Sequence, residues 1–183
     1  MNTKEYFKQL SIVILGILIA FWINNMGTHY KEHAVQKKVL SVILNEIKDN
    51  QKKTGIALKN LDSLRMDFAT IQKSSVFADT SITIRYIGSN LKSIGYETAK
   101  YSGILKDINH KLLSEIVESY EYQKTLAEME VSMRNEIFQF FKYKKEDNIN
   151  YLMIQILNLI TNMEQLETEQ QQLIEDLSVS LKI

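Results

Sequence analysis

Apolar side chains fall into stretches of different period along this chain. The first, Leu10–Ile23 (LSIVILGILIAFWI), is apolar on every helical face, with Ser11 its one clearly polar member. From Leu40 the pattern narrows to one stripe: Leu40, Ile43, Ile47, Asn50, Thr54, Ala57, Leu61, Leu64, Phe68 and Ile71 follow a 3-4-3-4 spacing. That spacing predicts a helix of more than 30 residues with a single buried seam, continuous with the apolar segment before it. Asn50 and Thr54 put polar side chains into the seam, where such a layer fixes register at some cost in stability, so Asn50→Ile is expected to raise stability and loosen register.

Ser74–Ser81 (SSVFADTS) has turn formers and no period, hence a loop. Ile82, Ile84 and Tyr86 alternate as a short strand would. Ile84, Ile87, Leu91 and Ile94 also fit a helix from Asp79–Ser81 to Gly95, and that reading covers more residues. A second short helix, Tyr96–Tyr101, should end at Ser102–Gly103. Asn109 is placed to cap a helix running to about Tyr143, with Leu112, Ile116, Leu126, Met133, Ile137 and Phe140 inward. After a turn at Lys142–Asn148, the last helix carries Leu152, Ile156, Leu159, Met163, Leu166, Gln170, Leu173 and Leu177 as its seam.

Composition sharpens this picture. The chain has no Pro and six Gly, the last being Gly103, so many-stranded folds built on tight turns are excluded. No Cys means no disulfide, thiol nucleophile or thiolate metal site. With 22 basic and 22 acidic residues, the chain is too balanced in charge for an obvious nucleic-acid surface, and no nucleic-acid partner is expected. Charge is uneven, however: residues 26–73 carry nine basic and five acidic side chains, residues 148–183 one and five. First and last helices should therefore attract one another, although exposed pairs contribute only about 0–1 kcal/mol each. Anionic lipid headgroups are the other destination for a basic first helix.

The fourteen residues of Leu10–Ile23 are short for a membrane span, which needs about 20. Around Ala20 and Gly27 the residues suit signal cleavage poorly, and an all-round apolar helix is unsuited to a protein core. A retained anchor over Phe7–Met26 is expected, with Lys8 snorkelling at one end and Trp22 at the other. Lys4 and Lys8 on one flank balance Lys31, Lys37 and Lys38 on the other, so charge leaves orientation open. A short tail inside with the bulk exported is the simpler default. Gly16, Ala20 and Asn24 share one stripe on which two such helices could associate.

The expected fold is all-α: residues 1–27 a transmembrane anchor, residues 28–183 an antiparallel bundle of three long helices plus short capping helices. In the expected topology the first and last helices run parallel, each antiparallel to the middle one. The short helices of 79–103 would then cap the end far from the membrane, and Val76, Phe77, Tyr86 and Tyr96 would form the partner-accessible surface of that distal cap.

Candidate chemistry is thin. His29-Tyr-Lys-Glu32-His33 matches H-x-x-E-H, in which two histidines on one helical face share a zinc and the glutamate is a general base. A catalytic site also needs a third ligand in an enclosed cleft, so the motif reads as a solvated helix. Glu115, Glu118, Glu121, Glu128 and Glu130 lack the Glu-x-x-His pairs of di-iron bundles and read as a solvated face. Phe138-Gln-Phe-Phe141 is apolar around more than one face, as in a partner or ligand groove. No phosphate loop, nucleophile elbow or dinucleotide fingerprint occurs, and no cofactor is expected.

The run Gly16-Ile-Leu-Ile-Ala-Phe-Trp-Ile-Asn-Asn25 before a basic helix resembles the opening of a widespread family of uncharacterised single-pass bacterial membrane proteins. Tyr101-Ser-Gly-Ile-Leu-Lys-Asp-Ile108, leading to Leu112, Ile116 and Ser119-Tyr120, is similar to that family's S-G-x-L-x-x-I segment. Met26 departs from the family's usual Trp, and the longer basic tail is missing. The resemblance implies a single-pass membrane architecture and carries no established activity to transfer; the default orientation above is what puts the helical part of a bacterial inner-membrane protein in the periplasm. The sequence thus points to a non-catalytic scaffold or accessory subunit contacting membrane lipid and a protein partner or a second copy of itself. The other readings are a ligand- or stress-sensing module that needs a partner chain, and a membrane-tethered metallohydrolase.

Overall fold

The computed structural model describes residues 3–74, 88–143 and 149–182, all helical except the strap at residues 88–93 and short connections. Helix α1 (Thr3–Ser74) is a single unbroken element of 72 residues, as a chain without Pro permits. Helix α2 (Ile94–Ser102) is followed by a 3-10 turn (Ile104–Asp107), then by α3 (His110–Tyr143) and α4 (Ile149–Lys182). Gly103 ends α2 in the left-handed region at φ 71°, where a side chain would be strained, and Asn109 caps α3 by accepting the Lys111 N–H at 2.9 Å.

All ten expected seam positions of α1 are buried, from Leu40 to Ile71, as are all eight of α4. The six apolar positions expected on α3 are buried too. Helix α4 packs along both α1 and α3, whereas the α1 and α3 backbones barely approach one another. Their junction is bridged by long side chains and, near the N-terminal half of α3, by the strap and α2.

The direction of the helices differs from the sequence expectation. Gln72 meets Asn150 at 2.7 Å and Gln51 meets Gln171 at 3.0 Å, so α4 runs antiparallel to α1. Tyr120 meets Glu46, Gln123 meets Asn50 and Phe140 packs on Phe68, so α3 runs parallel to α1. First and middle helices are therefore parallel, and the last is antiparallel to both. Short connections force antiparallel neighbours, but only the α3–α4 connection is short. The chain between Ser74 and His110 is long enough to travel back along the bundle, and it does.

That return overturns the distal cap. Tyr96 and Ala99 of α2 belong to one cluster with Leu40, Ile43, Leu44 and Ile47, at the opposite end of the bundle from Ser74. Tyr96 is 3% exposed and is core, not partner surface. The helix expected to run from 79 to Gly95 is not helical over 88–93, whereas the second short helix, expected at Tyr96–Tyr101, is α2 and ends at Ser102–Gly103 as expected. Val76, Phe77 and Tyr86 lie outside the described residues.

The core has two parts. A lower cluster joins Leu40–Ile47, α2, the turn and the start of α3 to Leu173 and Leu177. An upper cluster joins Ala57–Ile71 to Leu126–Phe140 and Ile149–Leu166. Between them lie Asn50, Thr54, Gln123 and Gln170, each at most 4% exposed, as one polar layer across the bundle.

The expected attraction of α1 for α4 takes another form. Among the described residues, Arg65–Asp62 and Lys111–Glu115 pair along their own helices, while the α1–α4 hydrogen bonds join uncharged amide and hydroxyl side chains. The start of α1 is unlike the rest: Ile14, Leu15, Ile17, Leu18, Ile19 and Trp22 are 49–64% exposed. No helix among the described residues is long and apolar enough to cross a membrane, so the transmembrane helix of the expected fold is not found.

Candidate functional site

The most elaborate polar arrangement lines the α1–α3 junction. It begins on α1, where the spacing of Glu46, Asn50 and Lys53 places them successively up one side of the helix. Each takes hold of the main chain of the returning segment. Lys53 Nζ donates to Asn90 O at 2.6 Å. Asn50 Nδ2 donates to Lys92 O at 2.7 Å, and its Oδ1 accepts the Lys92 N–H at 2.8 Å. Glu46 accepts the N–H groups of Gly95 at 2.8 Å and Tyr96 at 3.4 Å.

These contacts explain why the strap is not a helix. The Ser89 N–H, the Asn90 C=O and both Lys92 backbone groups are taken by side chains of α1 and α3, and Asn90 sits at φ 47°, a conformation Asn tolerates better than most residues. They also explain how α2 starts. Ser93 makes no side-chain capping bond, and the Glu46 carboxylate supplies the cap from another helix, at the positive end of the α2 dipole. Gly95 permits this approach: a Cβ there would lie 3.0 Å from Val42 Cγ1 and 3.3 Å from Glu46 Oε1.

Helix α3 closes the other side. The Tyr120 hydroxyl donates to Glu46 Oε1 at 2.6 Å, and its ring stacks on Tyr96 with centroids 4.4 Å apart. Gln123 Oε1 accepts the second Asn50 Nδ2 proton at 2.8 Å. Glu130, 4% exposed, accepts the Ser89 N–H at 2.8 Å. Thr54 gives its proton to Asn50 O at 3.0 Å, which leaves its 3.4 Å contact with Gln170 Oε1 weak, and Gln170 Nε2 has no hydrogen-bond partner among the described residues.

Burial raises the Tyr120 phenol well above its ordinary value of 10.0, and the Glu46 hydrogen bond and charge add to the effect. Burial also raises Tyr96, with Lys100 opposing, and Tyr122, with Glu169 reinforcing. Both carboxylates face hydrogen-bond donors of the chain itself. Chemically the arrangement is a fastening directed at backbone groups of the returning segment.

The structure gathers few of the sequence candidates. Glu32 and His33 are exposed on the continuous α1 helix, and the His29 side chain lies outside those described. Among the described residues, no three His, Asp or Glu side chains assemble as metal ligands. The side chains of Gly16, Ala20 and Asn24 lie outside those described. Glu118, Glu121 and Glu128 are exposed as expected, whereas buried Glu130 corrects the reading of a wholly solvated face. Phe138 is 64% exposed, while Phe140 is core and stacks edge-on against Phe68.

Sequence reasoning missed Gln123 and Glu130, although the signal was present. Leu112, Ile116, Ser119, Gln123, Leu126, Glu130, Met133, Ile137 and Phe140 form an unbroken 3-4 series, so these polar residues occupy seam positions. Glu46, off the α1 seam, carries no such mark.

No protein-family model, curated protein or solved structure matches the chain.

Proposed function

We propose that this protein is a non-catalytic helical scaffold or accessory subunit, held at a bacterial inner membrane by the start of α1 and acting through protein contacts. The observation that carries the reading is the exposure of Ile14, Leu15, Ile17, Leu18, Ile19 and Trp22, spread around the helix ahead of a well-packed bundle. Fully burying each such side chain is worth about 1.5–3 kcal/mol, so a segment of this composition in water is a strong driving force for association. A lipid interior accepts a helix that is apolar on all faces, whereas a protein groove accepts one stripe. The run of fourteen residues is shorter than a span, and Tyr6, Phe7 and Met26 lengthen it while Lys8 snorkels. The likeness of Gly16–Asn25 to the single-pass bacterial family points the same way.

The scaffold part of the reading is supported by the bundle itself, whose polar groups are spent on holding its own return segment. Exposed apolar residues on the bundle, among them Ile56, Met66, Phe138 and Ile154, offer contact area for a partner. Carbonate washing of membranes from cells expressing the full chain tests the anchoring. The protein should stay with the membranes, and Leu15→Asp with Leu18→Asp should release it. Release of the unmodified chain would refute the anchor.

A further inference from the structure

We propose that the end of the bundle from which α1 emerges is a docking face for an anionic lipid surface. This rests on the membrane reading above and adds the lipid class and the face that meets it. Val39 of α1, Leu113 of α3 and Leu181 of α4 pack on the same lower cluster, so the start of α3 and the end of α4 meet the middle of α1 at one level. Exposed lysines surround that junction: Lys37 and Lys38 of α1, Lys106 of the 3-10 turn, Lys111 of α3 and Lys182 of α4. Nothing in the linear sequence groups these residues; the return of the chain through the strap and α2 brings them together.

Charge at this end is one-sided. Residues 31–41, 104–116 and 178–182 hold six lysines against Glu32, Asp107 and Glu115. Glu115 is drawn to Lys111 at 3.5 Å. The acidic residues of α4, Glu164, Glu167, Glu169, Glu175 and Asp176, lie further up the bundle. An anionic plane would therefore attract the base and repel the flank, standing the bundle upright. The exposed apolar segment leaves from this same end, so whatever receives Leu15 and Trp22 also faces the lysines. A membrane offers both in the required order, hydrocarbon beneath and phosphate above. From Met26 to Lys37 is about 17 Å of helix, around two screening lengths at physiological salt. The attraction is therefore largely screened at physiological salt and grows as salt is lowered.

The test is partitioning of the full chain onto vesicles of phosphatidylcholine alone and of phosphatidylcholine with phosphatidylglycerol, at low and high salt. The unmodified protein should favour the anionic vesicles by about tenfold or more at low salt, and the preference should shrink as salt rises. Lys37→Glu, Lys38→Glu, Lys111→Glu and Lys182→Glu together should abolish that preference and leave binding to neutral vesicles unchanged. Reversing Lys48, Lys52, Lys59 and Lys124, exposed and higher on the bundle, makes the same change in net charge and should leave most of the preference intact. Equal loss from both sets, or no preference in the unmodified chain, overturns the docking face, including the case where the base binds an acidic protein instead. Absence of binding to neutral vesicles refutes the anchor alone, because salt-sensitive binding to anionic vesicles still reports on the lysines.

Discussion

Two parts of one helix, residues 14–22 and residues 40–71 of α1, are both rich in large apolar side chains, yet only the second is buried. Ile43, Ile47, Leu61 and Phe68 are fully covered, whereas Leu15, Ile17 and Trp22 are more than half exposed. Period separates them, not hydrophobicity. A 3-4 stripe can turn toward two neighbouring helices, while a helix apolar on all sides has no such face. The buried part is therefore specified by packing and the exposed part by its surroundings. Substitutions should act accordingly, strongly on folding in one and on attachment in the other.

The largest effect on folding belongs to the upper core. Phe68, fully buried, packs edge-on against Phe140 at 5.5 Å and near Phe141. Phe68→Ala should lower the free energy of unfolding by about 3–5 kcal/mol in a denaturant titration. A loss near 1 kcal/mol would mean that this core is looser than its burial implies.

Asn50→Leu comes next and reverses the sequence expectation that an apolar residue here would stabilise. Asn50 satisfies Lys92 N–H, Lys92 C=O and Gln123 together, so removing it strands buried groups at about 1–3 kcal/mol each. Destabilisation by roughly 2–4 kcal/mol is expected, with faster amide exchange at Lys92. A more stable variant would show that the strap does not depend on this residue.

Tyr120→Phe should cost about 1 kcal/mol through the lost hydroxyl bond to Glu46. It also carries a pH signature. A phenol whose folded pKa is raised holds its proton where the unfolded chain has lost it, so its contribution is intact below about pH 10 and falls as pH rises further. Thermal melts should therefore drop above pH 10 in the unmodified protein and less steeply in the variant. Parallel curves would remove Tyr120 as the source.

Leu15→Asp with Leu18→Asp should change the unfolding free energy of the bundle by no more than about 0.5 kcal/mol, since neither side chain contributes to the described core. A larger change would place this segment against the bundle.

The same contrast accounts for what was legible beforehand. Seams on α1 and α4 were readable because each buried position repeats at helical spacing, polar members Asn50, Thr54 and Gln170 included. Helix order was not, because the connection from Ser74 to His110 is long enough for either direction. The strap was hidden for another reason: Lys92, Gly95 and Ser89 engage through main-chain groups that every residue carries. Only the receiving side chains could have marked the site, and of these Asn50 did so by falling on the α1 seam and Gln123 and Glu130 by falling on the α3 seam.

The membrane reading can be tested at its centre, since Trp22 is the only tryptophan of the chain and lies within the exposed apolar segment. Its emission can be followed as lipid vesicles are added to the full chain, with iodide as an aqueous quencher. Insertion predicts a blue shift and loss of quenching, while circular dichroism of the bundle stays constant. Emission that remains red-shifted and fully quenchable at saturating lipid would contradict the account.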